Sequence, residues 1–217
     1  MTLATDAQEI YLAKINEAFA RLKACDYFLD CYSKDAAASL LESAVLQKRK
    51  AMEAVAYAAI APNKARYEQF RAQADRPADY RRDYNARAIL QYLAKINPDF
   101  YPIPLAPPAE TQPGHWHFEQ KPDGYLTKNR FESLYDRLGK FLHADNPWGN
   151  DKGAANLVAD LPAAMTQLRE LLALHRTIVR TPHFVGVWVI EVPVDGRVPH
   201  IIAGQATGDF VVAGSGS

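Results

Sequence analysis

The sequence predicts a mainly α protein: a helical bundle of about five helices, then a small C-terminal antiparallel β-hairpin or three-stranded sheet. Three observations lead there. No glycine precedes Gly114 and all eleven lie in the second half, so the front of the chain lacks the residue that, after proline, most weakens helices. Apolar residues recur in that front part at helical spacing. Over roughly the last 40 residues the pattern changes to β-branched and aromatic runs around Asp195-Gly196, a hairpin turn signal.

Taken in order, residues 6 to 31 read as a first helix with Ile15, Phe19, Leu22 and Leu29 on one stripe. Ser33 or Asp35 can cap a second, which runs through Leu41, Val45, Lys48, Met52, Val55 and Ala59 and is closed by Pro62. Lys48 sits on the apolar stripe and reads as a snorkelling side chain. Residues 64 to 83 are dense in charge and read as a solvated helix broken near Pro77, or as a weak basic patch. A third helix carries Ile89, Leu90, Leu93 and Ile96, and stops before Pro98, since the residue before proline resists the α region. Residues 97 to 126 hold seven of the fourteen prolines. They read as a long connection containing a short strand at His115-Trp116-His117-Phe118. Thr127 caps a fourth helix with Phe131, Leu134, Tyr135, Leu138, Phe141 and Leu142. A fifth helix covers about 154 to 175, bent or split by Pro162. Phe184 to Ile190 is a strand apolar on both faces, which predicts that both are covered, by the helices or by another chain. Arg197 to Ala203 returns, and Asp209 to Ala213 is placed to add a third strand. The chain thus divides into a helical part, 1–176, a β appendage, 177–213, packed on it or on a partner, and a disordered tail, 214–217.

Charge narrows the functional classes. The 25 basic and 25 acidic residues cancel, whereas proteins held to nucleic acid mainly by phosphate contacts are usually basic. Any RNA role must rest on a local patch, for which Arg81 and Arg82, among tyrosines such as Tyr80 and Tyr84, are candidates. The longest apolar runs are too short for a bilayer, and Met1 to Ile10 carries Asp6 and Glu9 with no apolar leader segment. The expectation is a cytoplasmic protein with no membrane partner. Cys25 and Cys31, six residues apart on a helix, point about 120° apart, which disfavours a disulfide between them. No phosphate loop, dinucleotide fingerprint, nucleophile elbow or zinc-protease helix occurs. His115 and His117, with Glu119, would share one face of a strand and form a conceivable metal site, but nothing nearby completes it, and no cofactor is expected.

One stretch carries chemistry. Arg137-Leu-Gly-Lys-Phe-Leu-His143 places an arginine and a histidine near the C-terminus of an amphipathic helix. Histidine suits proton transfer near neutral pH, and the arginine fork suits charge developing on a phosphate. Six residues apart they stand about 120° apart on an ideal helix, so they meet only if the helix end frays or two such helices pair in a dimer. Bland roles are equally open: His143 can favour the helix C-terminus, and Arg137 can pair with Asp136, Glu132 or Asp145.

This stretch resembles the R-x4-6-H motif of the HEPN superfamily, helical-bundle proteins of bacterial defence, toxin–antitoxin and RNA-processing systems. The wider arrangement is similar to uncharacterised bacterial proteins of that kind over about residues 35 to 150. The shared features are a helix like Gln47-Lys48-Arg49-Lys50-Ala51-Met52-Glu53, then Ile96-Asn97-Pro98-Asp99-Phe100-Tyr101-Pro102, then Leu142-His143-Ala144-Asp145-Asn146-Pro147. The resemblance implies a homodimer and, in active members, a metal-independent endoribonuclease that cleaves RNA through the ribose 2′-hydroxyl. His143 would then transfer protons, Arg137 would hold the phosphate, and Asp145 and Asn146 would orient His143. RNA and an antitoxin or other protein are the implied partners. Leu138 departs from the pattern: many active members carry a polar residue after the arginine. The alternative is a non-catalytic helical module that dimerises or binds protein or RNA.

Overall fold

The computed structural model describes residues 3–74, 78–144, 148–149, 153–181, 184–193 and 198–205. Six α-helices and six strands follow in chain order. α1 (Leu3–Asp35) and α2 (Ala38–Ile60) form a hairpin whose two linking residues force a tight reversal. Ala36 takes a left-handed conformation (φ 55°) and its N–H closes on the Tyr32 carbonyl at 2.7 Å, a non-glycine strain that the paired helices hold in place. Neither Ser33 nor Asp35 caps α2. α1 runs through both, and Ala37 stands at the N-cap with no side-chain bond.

Lys48 does not snorkel. It is 0% exposed, and its Nζ donates to the Ala164 carbonyl at 2.9 Å. Burial pulls the ammonium down from its ordinary range to about 7, because a charge without a carboxylate in contact is costly in an apolar interior. Cys25 is buried and Cys31 half-buried, both as free thiols.

The charged segment forms α3 (Lys64–Ala72) and a 3-10 turn at Tyr80–Arg82. They are joined inward: Arg71 holds Asp83 through two 2.9 Å bonds, and the Tyr67 hydroxyl donates to the same carboxylate at 2.9 Å. α4 (Ala86–Ile96) starts where Asn85 accepts from the Ala88 N–H at 3.0 Å. It ends at Asn97, as the proline signal predicts. The buried Asn97 amide donates both to Asn63 Oδ1 (3.0 Å) and to the Ile178 carbonyl (3.1 Å), tying helices to sheet.

The proline-rich connection contains β1 (Ile103–Pro104), β2 (Ala109–Gln112) and β3 (His115–His117). β2 and β3 form a separate, fully exposed two-stranded ribbon. α5 (Lys128–Leu142) and α6 (Ala154–Leu172) follow; α6 runs unbroken through Pro162. Next comes a strand the sequence reading missed, β4 (Leu174–Thr181), then β5 (Phe184–Glu191) and β6 (His200–Gln205). The sheet is antiparallel in the order β1-β4-β5-β6. The boundary placed at 176/177 therefore falls inside β4, and the sheet begins in the connection at β1.

One face of the sheet continues the helical core. Val179, Trp188 and Ile190 belong to the same buried cluster as α1, α2, α4, α5 and α6. Tyr11 of α1 packs its ring edge on Trp188 at 6.0 Å and donates its hydroxyl to Nε2 of buried His175 at 2.8 Å. Nδ1–H of His175 donates to the Leu172 carbonyl at 2.9 Å. Burial lowers this histidine to about 4, so the ring is neutral at physiological pH. The other face is covered in part by the described residues: Ile178 is buried and Val187 and Val189 are half-buried, while Val185 and Ile202 are 40% and 56% exposed. The expectation that both faces of β5 are covered is met by the described residues on the helical face and only in part on this one. The turn at Asp195-Gly196, the strand expected at Asp209 to Ala213 and the tail 214–217 lie outside the described residues. Among the described residues no helix is long and apolar enough to cross a membrane.

Candidate functional site

α5 carries the Arg137–His143 stretch, and its two faces have different fates. One face buries Phe131, Tyr135 and Leu138. Leu138, the departure from the family pattern, is 0% exposed and is a core residue. Arg49 of α2 clamps this face. Its guanidinium lies 3.8 Å from the Tyr135 ring centre and donates to the Tyr135 carbonyl (3.0 Å) and hydroxyl (2.7 Å). That hydroxyl in turn donates to Glu53 at 2.8 Å. Gly139, the glycine inside the stretch, follows from this contact: a Cβ there would overlap the Arg49 guanidinium.

The other face borders a groove of about 430 Å³ between α5 and α6. α5 and the residues before it contribute Leu126, Asn129, Arg130, Ser133, Leu134 and Arg137. α6 contributes Asp160, Ala163, Ala164 and Gln167. Leu126 is fixed on the α6 wall by its N–H, which donates to the Gln167 carbonyl at 3.0 Å. Arg137 donates to Asp160 across the groove at 2.6 Å, rather than to Asp136 or Glu132; Asp145 lies outside the described residues. The pair is open to solvent, 38% and 60% exposed at its side chains. Among the described residues the side chains of Asn129, Arg130 and Gln167 make no hydrogen bond or ion pair, so polar groups and one unpaired cation face the groove.

His143 occupies the C-cap of α5, with extended backbone (φ −74°, ψ 153°) and an exposed side chain. It is not in the groove wall. Within one chain the fold brings Arg137 to the groove and leaves His143 beyond it, in keeping with their angular separation. Asp145 and Asn146, expected to orient His143, lie outside the described residues. Arg81 and Arg82 are exposed on the 3-10 turn, where Asp79 accepts from the Arg81 N–H at 3.0 Å and the Arg81 guanidinium lies 5.9 Å from the Tyr80 ring centre. They do not line the groove. Of the tyrosines of this region Tyr67 packs with Tyr80 and Tyr92, whereas Tyr84 is exposed.

The strand at His115–His117 exists, and His117 approaches Glu119 at 3.9 Å. Among the described residues no group of three or more His, Cys, Asp or Glu side chains gathers in a way that holds a metal. The sequence reading missed Arg130, Asn129, Asp160 and Gln167. Arg130 was within reach, since it lies seven residues before Arg137, two turns along the same face. Asp160 and Gln167 carry no local signal, because only the packing of α6 brings them opposite α5.

Comparison with protein-family models, with curated proteins and with solved structures finds no match for this chain.

Proposed function

We propose that this chain is a HEPN-like, RNA-acting helical protein: a metal-independent endoribonuclease of a bacterial defence or toxin–antitoxin system that works as a homodimer. The observation that carries the reading is the α5–α6 groove, where Arg130 and Arg137 stand on one face of the motif-bearing helix beside polar side chains without partners. Successive phosphates of a nucleic-acid strand are ligands that two arginines at such a spacing can hold, one each. In this scheme Arg137 donates its fork to the scissile phosphate, with Asp160 orienting it, and His143 of a second copy moves the proton. The ribose 2′-oxygen attacks phosphorus, the 5′-oxygen leaves with a proton, and a 2′,3′-cyclic phosphate remains. The histidine comes from a second copy in this scheme because, within one chain, Arg137 lines the groove and His143 does not.

The alternative is a non-catalytic module that binds protein or RNA. The Arg137–Asp160 pair supports it, because a cation already paired is less free for a phosphate, and so does the exposed apolar face around Val185 and Ile202.

The test is cleavage of a labelled single-stranded RNA in the presence of a chelator. The wild type is expected to release fragments ending in a 2′,3′-cyclic phosphate. His143→Ala and Arg137→Ala are each expected to lose about 100-fold or more in rate. Equal cleavage by wild type and His143→Ala, or none by either, removes the catalytic reading and leaves the binding module.

A further inference from the structure

Resting on the reading of the groove as an RNA site, we infer that it holds one splayed nucleotide of a single strand and reads its base. Arg130 and Arg137 lie two turns apart on one face of α5, about 10 Å along the axis. That spacing brackets a nucleotide, one arginine for each flanking phosphate. Leu134, Ala163 and Ala164 give an apolar bed between the arginines, while at the Arg130 end, beside Leu126, Asn129 and Gln167 supply side-chain amides with no partner among the described residues. An amide offers one donor and one acceptor together, the pattern needed to read a base edge. The volume, about 430 Å³, lies near the low end of small-ligand clefts, roughly 300–1,000 Å³. It admits one base and excludes a duplex, whose bases are already stacked and paired.

Asp160 does not oppose this occupant. Its charge is offset by Arg137, so the described charged groups of the groove, Arg130, Arg137 and Asp160, leave one net positive charge. Asn129 and Gln167 are therefore assigned as the residues that determine which base is preferred. Arg130 binds phosphate without regard to sequence.

The experiment is fluorescence anisotropy with labelled 2′-O-methyl homopolymers of A, C and U, which lack the attacking hydroxyl, beside a hairpin duplex of matched length. The wild type is expected to bind its best homopolymer about tenfold more tightly than its worst and the duplex most weakly. Asn129→Leu/Gln167→Leu is expected to level the three homopolymers to within about twofold, by lowering the best affinity towards that of the worst. Arg130→Ala is expected to weaken all three about equally and to reduce the salt dependence. Equal binding of the three by the wild type, or discrimination unchanged in the double variant, overturns base reading. The groove then stands as a phosphate site if Arg130→Ala still weakens all. No effect of Arg130→Ala on any homopolymer, or no binding at all, overturns both.

Discussion

Two pairs of cations serve the α5–α6 region, and they are used in opposite ways. Lys48 and Arg49 are neighbours on α2 and reach the two helices that wall the groove, Lys48 to the Ala164 carbonyl of α6 and Arg49 to Tyr135 of α5. Both are turned inside the protein: Arg49 is held by a carbonyl, a ring, a hydroxyl and the Glu53 carboxylate at 3.4 Å, and Lys48 donates to a carbonyl. Arg130 and Arg137 stand on the groove itself, Arg137 paired in solvent with Asp160 and Arg130 with no ion pair among the described residues. The difference separates structural from functional cations by their remaining capacity. A cation whose donors are all used inside contributes to the fold, whereas one whose donors face solvent in a concave site can still take a ligand.

The largest effect is expected at Lys48. Its ordinary value near 10.5 falls to about 7 in the folded protein, through burial, which corresponds to a penalty on the order of 5 kcal/mol when the group is charged. Between pH 7 and 10.5 the unfolded chain holds a proton that the folded chain lacks, so stability rises with pH across that window. Below pH 7 the penalty is present in full. Lys48→Met keeps the volume and removes the charge, at the cost of the bond to Ala164, about 1 kcal/mol. Urea unfolding should find the variant more stable than wild type by about 3–4 kcal/mol at pH 6, with the gain gone by pH 10. A difference that does not change with pH would mean that Lys48 finds a charge partner inside, and that its role in the clamp is electrostatic.

Arg49 gives a smaller effect, visible only as a coupling. Gly139→Ala alone gains about 1 kcal/mol of helix propensity but displaces a guanidinium held by Tyr135, so a net loss of about 1 kcal/mol is expected. In an Arg49→Ala background the same change should stabilise by about 1 kcal/mol, a coupling near 2 kcal/mol. Additive effects within about 0.5 kcal/mol would show that the glycine is not there to admit Arg49, and the clamp on α5 would lose its second half.

Much of this fold was legible locally. The helical stripes, the stop at Asn97-Pro98 and the start of α5 after Thr127 follow from spacing and from the chemistry of proline. β4 was not, although Thr177, Ile178 and Val179 are β-branched. Leucines 168, 171 and 172 carry the helical period up to its edge, so the switch is marked by no glycine or proline. Lys48 was misread because sequence cannot tell a stripe facing the rim from one facing the centre. At the candidate site the sequence located α5 and its arginine. The opposite wall, Asp160 to Gln167, is separated from it by more than 20 residues and exists only through tertiary packing. The partly covered face of β5 shows the converse: a strand apolar on both sides says that burial is favoured there, and does not say by what.

The smallest stability effect is expected where the largest functional one lies. Arg137 and Asp160 pair in solvent, 38% and 60% exposed, and exposed ion pairs contribute about 0.2–1 kcal/mol. Arg137→Ala should therefore shift the unfolding free energy by about 0.5 kcal/mol or less, and Arg130→Ala by less still, while both weaken RNA binding. A loss of about 2 kcal/mol in Arg137→Ala, measured by urea unfolding at neutral pH, would reverse the assignment: the pair would then be a brace joining α5 to α6, spent like Arg49, and the groove would keep Arg130 as its one cation. A small loss leaves Arg137 tethered but available, since a phosphate then has only a weak, solvent-screened contact to displace.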